Sequence, residues 1–388
     1  MIMRTASGWK RWVGGLAAAG LLGACTTVPV YGNPVTAAPV QPPHHFFTVD
    51  WWRQLVSPTL LEYAPREHAQ PAYDAKNERV LALTRDGLVR SFDPEGTEFW
   101  RYTVGNRFYA GATVDDGIAY VPGSDGALHA LDAKTGALKW KYAAGEALAT
   151  APVLAGDLVL VASQSDTLFA VKRATGELAW LYRRDPPAGF TIHRASTPAV
   201  RGQTAWVGFS DGSLVSLDLD DGGVRWEKTL VPGGVTQFVD VDTSPVLDES
   251  GHVYAASYAG GLYALDAETG DVVWNSVAQG ITSLLLHGNV LVATGDNRLD
   301  AYLADSGKLL WSQTLEERAG LEPVLVKGML LVPAQRSLLF VDPRTGQSRL
   351  AWNPGEGISA PPRVVGGKVY VLSNNGYLYS LRLDGRSG

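Results

Sequence analysis

Cysteine is nearly missing from this 388-residue chain: Cys25 is the only one. An intramolecular disulfide and a cysteine metal cluster are therefore both excluded. Methionine is almost as scarce, with three residues. No stretch of the body concentrates lysine and arginine, and the formal net charge is −6, so nucleic acid is not an expected partner. The seven histidines (His44, His45, His68, His129, His193, His252 and His287) show no HExxH or comparable ligand spacing, so no zinc site is expected. There is no Walker loop, no G-x-S-x-G elbow and no dinucleotide fingerprint opening a helix. The turn text "SDG" (124–126, 210–212) and "GDN" (295–297) lacks the spaced oxygens of a calcium loop. No apolar run is long enough to span a bilayer.

What the chain has is glycine (43), tryptophan (12) and tyrosine (15), with many β-branched residues between the glycines. Glycine turns separating aromatic and β-branched segments predict an all-β protein. One element recurs: "FDPEGTEFW" (92–100), "LDAKTGALKW" (131–140), "VKRATGELAW" (171–180), "LDLDDGGVRW" (217–226), "LDAETGDVVW" (265–274), "YLADSGKLLW" (302–311) and "VDPRTGQSRL" (341–350). An eighth copy, "LRLDG" (381–385), stops before its tryptophan. The period is about 40 residues, stretched between Trp180 and Trp274 by longer loops. The aspartate of "LD" can accept turn amides, and the glycine supplies a positive φ. Text such as Val153 to Ser163 is apolar on both faces, so each sheet must be covered on both sides. Sheets packed face to face in a closed ring satisfy that requirement and leave only short edges.

Eight units predict an eight-bladed β-propeller of four-stranded antiparallel blades over residues 46–388. The recurring Trp100, Trp140, Trp180, Trp226, Trp274 and Trp311 are expected to pack blade against blade. The eighth blade lacks its outer strand, and "FFTVDWWRQLVSP" (46–58), with Trp51 and Trp52, is expected to supply it and close the ring.

The amino terminus explains the lone cysteine. Arg4, Lys10 and Arg11 precede the short apolar run "VGGLAAAGLLGAC", a secretory signal over residues 1–24. "LLGAC" resembles a bacterial lipobox, which implies lipidation of Cys25. Thr26, in place of an inner-membrane-retaining aspartate, implies sorting to the outer membrane. Residues 25–45, rich in proline, alanine and threonine, read as a flexible tether.

The "A-x-T-G-x-x-x-W" element (133–140, 267–274) resembles the repeats of pyrroloquinoline-quinone-type propellers. With the lipobox, the length and the segment "FVDVDTSPV" (238–246), the chain resembles the BamB family of outer-membrane protein assembly lipoproteins. The resemblance implies a scaffold without catalysis or cofactor. Such a scaffold is lipid-anchored at the periplasmic face of the outer membrane, binds the periplasmic domains of a BamA-like protein, and can also steer unfolded outer-membrane protein substrates. It further implies two contact segments. One is "GFTIHRASTP" (189–198), with Phe190 and Ile192 at the leucine positions of a leucine-x-leucine-arginine pattern, His193 in the arginine's place and Arg194 one residue later. The other carries Asp240 and Asp242, expected as a small acidic spot beside the apolar loop. Text of the small-x-Pro kind recurs at 150–153, 196–200, 243–246 and 359–364, so that half of the motif reads as structural. A second reading places a quinone or a sugar in the propeller's central channel. The quinoprotein dehydrogenases that share the repeat are longer and carry an adjacent cysteine pair, which a single cysteine cannot provide.

Overall fold

The computed structural model describes residues 46–58, 64–185, 195–231 and 237–384. The described residues contain no helix and form eight four-stranded antiparallel sheets, the blades of a β-propeller. Blades 1 to 7 each take four consecutive strands, over 72–103, 113–143, 153–183, 199–229, 246–276, 281–314 and 324–352. The eighth joins the three strands of 363–383 to Phe47–Gln54 from the other end of the chain.

The sequence pattern sets the layers of each blade. The two middle strands are buried on both faces, as in Leu158–Ala162 and Thr167–Lys172 of blade 3. Their near-continuous apolar text suits a sheet covered on both sides. The outermost strand alternates exposed with partly covered residues, as in Leu138–Ala143. Between the third and outer strands lies the recurring turn. In blade 2 the Asp132 carboxylate accepts the Lys134 and Thr135 amides at 3.1 and 3.0 Å, and Gly136 turns the chain at φ 75°. Blade 5 repeats it with Asp266 accepting from Glu268 and Thr269, and Gly270 at φ 77°. Only glycine takes that backbone conformation without steric cost.

The tryptophans join one blade to the next. Each lies over the turn glycine of the following blade and donates its indole N–H to a carbonyl of the same turn. Trp100 donates to Ala133, Trp140 to Arg173, Trp180 to Leu219, Trp226 to Ala267, Trp274 to Ala304 and Trp311 to Pro343, at 2.7–3.0 Å. A Cβ on Gly136 or Gly176 would stand 2.6 Å from the indole of Trp100 or Trp140. In blade 4 a second indole, Trp206, also donates to the Ala267 carbonyl. The indole therefore fills the space that a larger turn residue would need, and its one polar atom is satisfied inside the seam.

The ring closes through its first strand. Phe47–Gln54 pairs antiparallel with Tyr377–Leu383, from Phe47 opposite Leu383 to Gln54 opposite Tyr377. Trp51 supplies the indole that blade 8 otherwise lacks: it donates to the Pro94 carbonyl at 2.7 Å and lies over Gly96 of blade 1. Trp52 turns the other way and packs on Tyr377. In blade 7 the tryptophan position is Leu350, opposite Phe340. There Phe47 stacks on Phe340, ring centroids 5.3 Å apart, and meets Trp352 at 5.0 Å. One strand thus holds blades 7, 8 and 1 together. The Glu67–Arg85 ion pair adds to the seam, since Arg85 also donates to the Asn374 carbonyl and the Glu67 amide to the Asn374 side chain.

Candidate functional site

Phe190, Ile192, His193 and Arg194 lie outside the described residues, as do Cys25 and segments 1–24 and 25–45. The segment that follows the apolar loop, Ala195–Pro198, is described. Ser196 donates its hydroxyl to the Thr243 carbonyl at 2.9 Å, which sets the small-x-Pro element of blade 4 directly beside that of blade 5. The two sequence segments singled out as contacts therefore lead into neighbouring places on the ring. The small hydroxyl residue has a structural task in each: Thr150, Ser196 and Thr243 accept the amides of Ala162, Gly208 and Ala256.

Asp240 and Asp242 require a correction. They do not form an exposed acidic spot; both are buried, at 0% and 7% exposure. Their loop is fastened on two sides. The Val241 amide donates to the Phe209 carbonyl of blade 4, while the Tyr258 and Ala259 amides of blade 5 donate to the Asp240 and Phe238 carbonyls, all at 3.0 Å. Gly208 allows this approach, because a Cβ there would overlap the Val241 carbonyl oxygen. Asp240 adds negative charge near Asp166, which burial already pushes above the usual carboxylate range and whose carboxylate accepts the Ser210 hydroxyl. The large apolar residue this loop exposes is Phe238, 42% accessible, at φ 54° and 6.5 Å from the Tyr258 ring. A bulky residue in the left-handed region is uncommon and is retained where neighbouring structure enforces it. Sequence reading missed Phe238, because its one-dimensional signal is that of any strand-flanking aromatic.

Asp242 also lines a cavity of about 440 Å³ on the propeller axis, to which every blade contributes, among them His68, Gln164, Thr282, Glu322 and Ser359. Glu322 is an exposed residue at the cavity, and partial loss of bulk solvent around its carboxyl pushes it up to about 6. A carboxyl whose folded pKa lies above its unfolded value costs stability as pH rises past the unfolded value of 4.5 toward 6 and beyond. Glu322→Gln should therefore raise the melting temperature at pH 7.5 and leave it nearly unchanged at pH 4, measured by calorimetry. No group of three or more metal-ligating side chains occurs among the described residues.

Eight blades, an indole seam at seven of the eight junctions and an axial cavity define the class of eight-bladed β-propellers whose blades are locked by tryptophans. The quinohemoprotein alcohol dehydrogenase of Comamonas testosteroni shares this fold, with TM-score 0.70 and 14% identity over 89% of this chain and 77% of that one. The crystal structure of BamB from Moraxella catarrhalis superposes with TM-score 0.73 and 23% identity over 86% of this chain and 100% of that one. The family model of "outer membrane protein assembly factor BamB" matches residues 85–301 and 295–388. The relative of that name from Escherichia coli K12 is 30% identical over 321 residues, 78% of this chain and 81% of that protein. The chain belongs to the BamB family of outer membrane protein assembly factors.

Proposed function

We propose that the protein is a non-catalytic scaffold of outer-membrane protein assembly. It is anchored through lipid on Cys25 to the periplasmic face of the outer membrane and binds the periplasmic domains of a BamA-like protein. Family membership supports the process, and the observation that carries the site is the Ser196–Thr243 hydrogen bond, which joins the described end of the first contact segment to the second. The partner meets the apolar side chains of the face, Phe190 and Ile192 with Phe238, flanked by His193 and Arg194. Asp240 serves from within, its backbone carbonyl helping to fasten the loop that presents Phe238, while Asp242 faces the axial cavity.

That division of labour has distinct consequences. Ile192→Asp with Phe238→Asp removes two apolar anchors and should weaken capture of the BamA-like protein by at least about 30-fold, the equivalent of roughly 2 kcal/mol. Its melting should stay near that of the parent protein. Asp240→Arg should instead damage folding, because a long cation cannot fit where no surface is exposed. Normal capture by the double aspartate variant would show that the partner binds elsewhere. In cells, the parent protein should take up a fatty-acid probe, and Cys25→Ala should abolish the label and release the protein from membranes.

A further inference from the structure

The seam between blades 4 and 5 departs from the seam between blades 2 and 3 at three matched places. In blade 2 the first strand ends at Asp115, and Ala130 of the third strand lies opposite the seam tryptophan, Trp140. The carbonyl that receives that indole, across the seam, belongs to Arg173. The Arg173 side chain fills the space between the blades: its guanidinium donates to the Asp115 carboxylate, the Tyr120 hydroxyl and the Gly156 carbonyl. In the seam of blades 4 and 5 the same three positions hold Arg201, Ser216 and Ala267. The filling guanidinium is gone, because Ala267 ends at its Cβ, and the acid that would face it is replaced by a cation.

What remains is a cavity of about 420 Å³, within the range of roughly 300–1,000 Å³ usual for small-ligand sites. It shares no lining residue with the axial cavity. Ser216 and Trp206 line its buried part, and Arg201, Ser250 and Glu268 its exposed rim. The Ser216 side chain is 0% exposed and its hydroxyl has no hydrogen-bond partner. A buried polar group left so is costly until something pairs with it. Among the described residues, the side chains of Arg201 and Glu268 have no partner either. Arg225, by contrast, is tied to the Asp218 carboxylate at 2.6 Å. Two arginines, Arg201 and Arg225, meet two carboxylates, Asp266 and Glu268, in the lining, so the cavity has no net sign with which to select an ion.

We propose that the seam between blades 4 and 5 binds a neutral saccharide unit. A guanidinium only donates, a carboxylate only accepts, and a hydroxyl does both. A ring bearing several hydroxyls meets all three: one accepts from Arg201, one donates to Glu268 and one pairs with Ser216, while its C–H face lies against the Trp206 indole. A few placed polar groups beside an apolar wall are the usual make-up of a small-ligand site. A free sugar and a unit within a glycan chain share this chemistry. The strand order sets the site apart from the protein partner. In blades 4 and 5 the turns from first to second strand and from third to outer strand lie on one face, and the connections between blades on the other. The cavity is bounded by turns of the first kind, at 201–204, 250–251 and 266–268, whereas Ala195 and Phe238 belong to connections. The saccharide and a BamA-like protein therefore take opposite faces.

The test titrates the full-length protein, by saturation-transfer NMR, with glucose, N-acetylglucosamine and their tetramers maltotetraose and chitotetraose, beside glycylglycine and inorganic phosphate. At least one saccharide should bind saturably, and the dipeptide and phosphate should not. A monomer that binds as well as its tetramer marks a free sugar as the ligand; binding of the tetramer alone marks a glycan chain. Ser216→Ala, which installs the residue of blade 2, should weaken that saccharide by about 10-fold. It should melt no lower than the parent protein, since the hydroxyl it removes has no partner in the empty cavity. Arg201→Asp with Ala267→Arg rebuilds the arrangement of blades 2 and 3, fills the cavity and should abolish binding, while melting and BamA-like capture stay near those of the parent. Failure of all four saccharides to bind, preference for the dipeptide or phosphate, or undiminished binding by either variant would overturn the proposal. Saccharide binding by a protein that captures no BamA-like partner would defeat the scaffold reading and leave this site standing.

Discussion

A chain beginning at Pro58 should melt at least about 10 °C below one beginning at Phe46, or aggregate outright. The difference between them is the closing strand, Phe47–Gln54. Its loss strips the ring of two buried aromatics, Phe47 at 2% and Trp51 at 9% exposure, each of a size whose truncation costs about 3–5 kcal/mol. It also bares the whole edge of Tyr377–Leu383, which the strand pairs along its length. Against a total stability of about 5–15 kcal/mol this is a large fraction. Trp51→Ala alone should reproduce a sizeable part of the effect, because its indole is the only seam between blades 8 and 1 of the kind found at the other tryptophan junctions. Trp52→Ala, on a half-buried residue packed against Tyr377, should cost less. Equal melting of the two truncated chains, followed by calorimetry, would show that the ring does not depend on this strand.

The second large effect is expected in the seams, and a pair of glycines in blade 3 isolates it. Gly156 and Gly176 both sit at positive φ, 57° and 76°. Nothing lies within 4 Å of a Cβ on Gly156, whereas a Cβ on Gly176 would come within 2.6 Å of the Trp140 ring. Gly156→Ala should cost only the backbone penalty, about 1–2 kcal/mol. Gly176→Ala should cost about 1–3 kcal/mol more, from overpacking. Trp140→Ala should cost about 3–5 kcal/mol, and combining it with Gly176→Ala should cost less than the sum, since the clash disappears with the ring. A double-mutant cycle by denaturant unfolding measures that coupling. An additive result would mean that the indole and the glycine do not share the seam.

The fold was legible because its signals are periodic. The glycine of each turn, and in most copies its aspartate and tryptophan, recur at matching places, and each has a local physical reason to be there. The closing strand was legible from what the last repeat lacks. That Trp51 rather than Trp52 enters the seam was not, since adjacent residues on a strand face opposite ways and the register is set by pairing with Tyr377–Leu383. The site was less legible. Two aspartates in a loop look the same in sequence whether solvated or buried. Only the backbone fastening to Phe209, Tyr258 and Ala259 shows that Asp240 lies inside and that Phe238 is the side chain presented. Glu322 carried no motif at all; its displaced titration arises from eight blades converging on one axis, a relation between segments hundreds of residues apart.

The central claim is that this propeller works by holding a barrel-assembly partner. The most direct measurement is purification of the tagged, full-length protein from gently solubilised outer membranes, with its companions identified and counted by mass spectrometry and the eluate examined for absorbing cofactors. The account predicts a BamA-like protein in near-stoichiometric amount, lost in the Ile192→Asp, Phe238→Asp variant. A preparation that carries a bound chromophore and no assembly protein would contradict it.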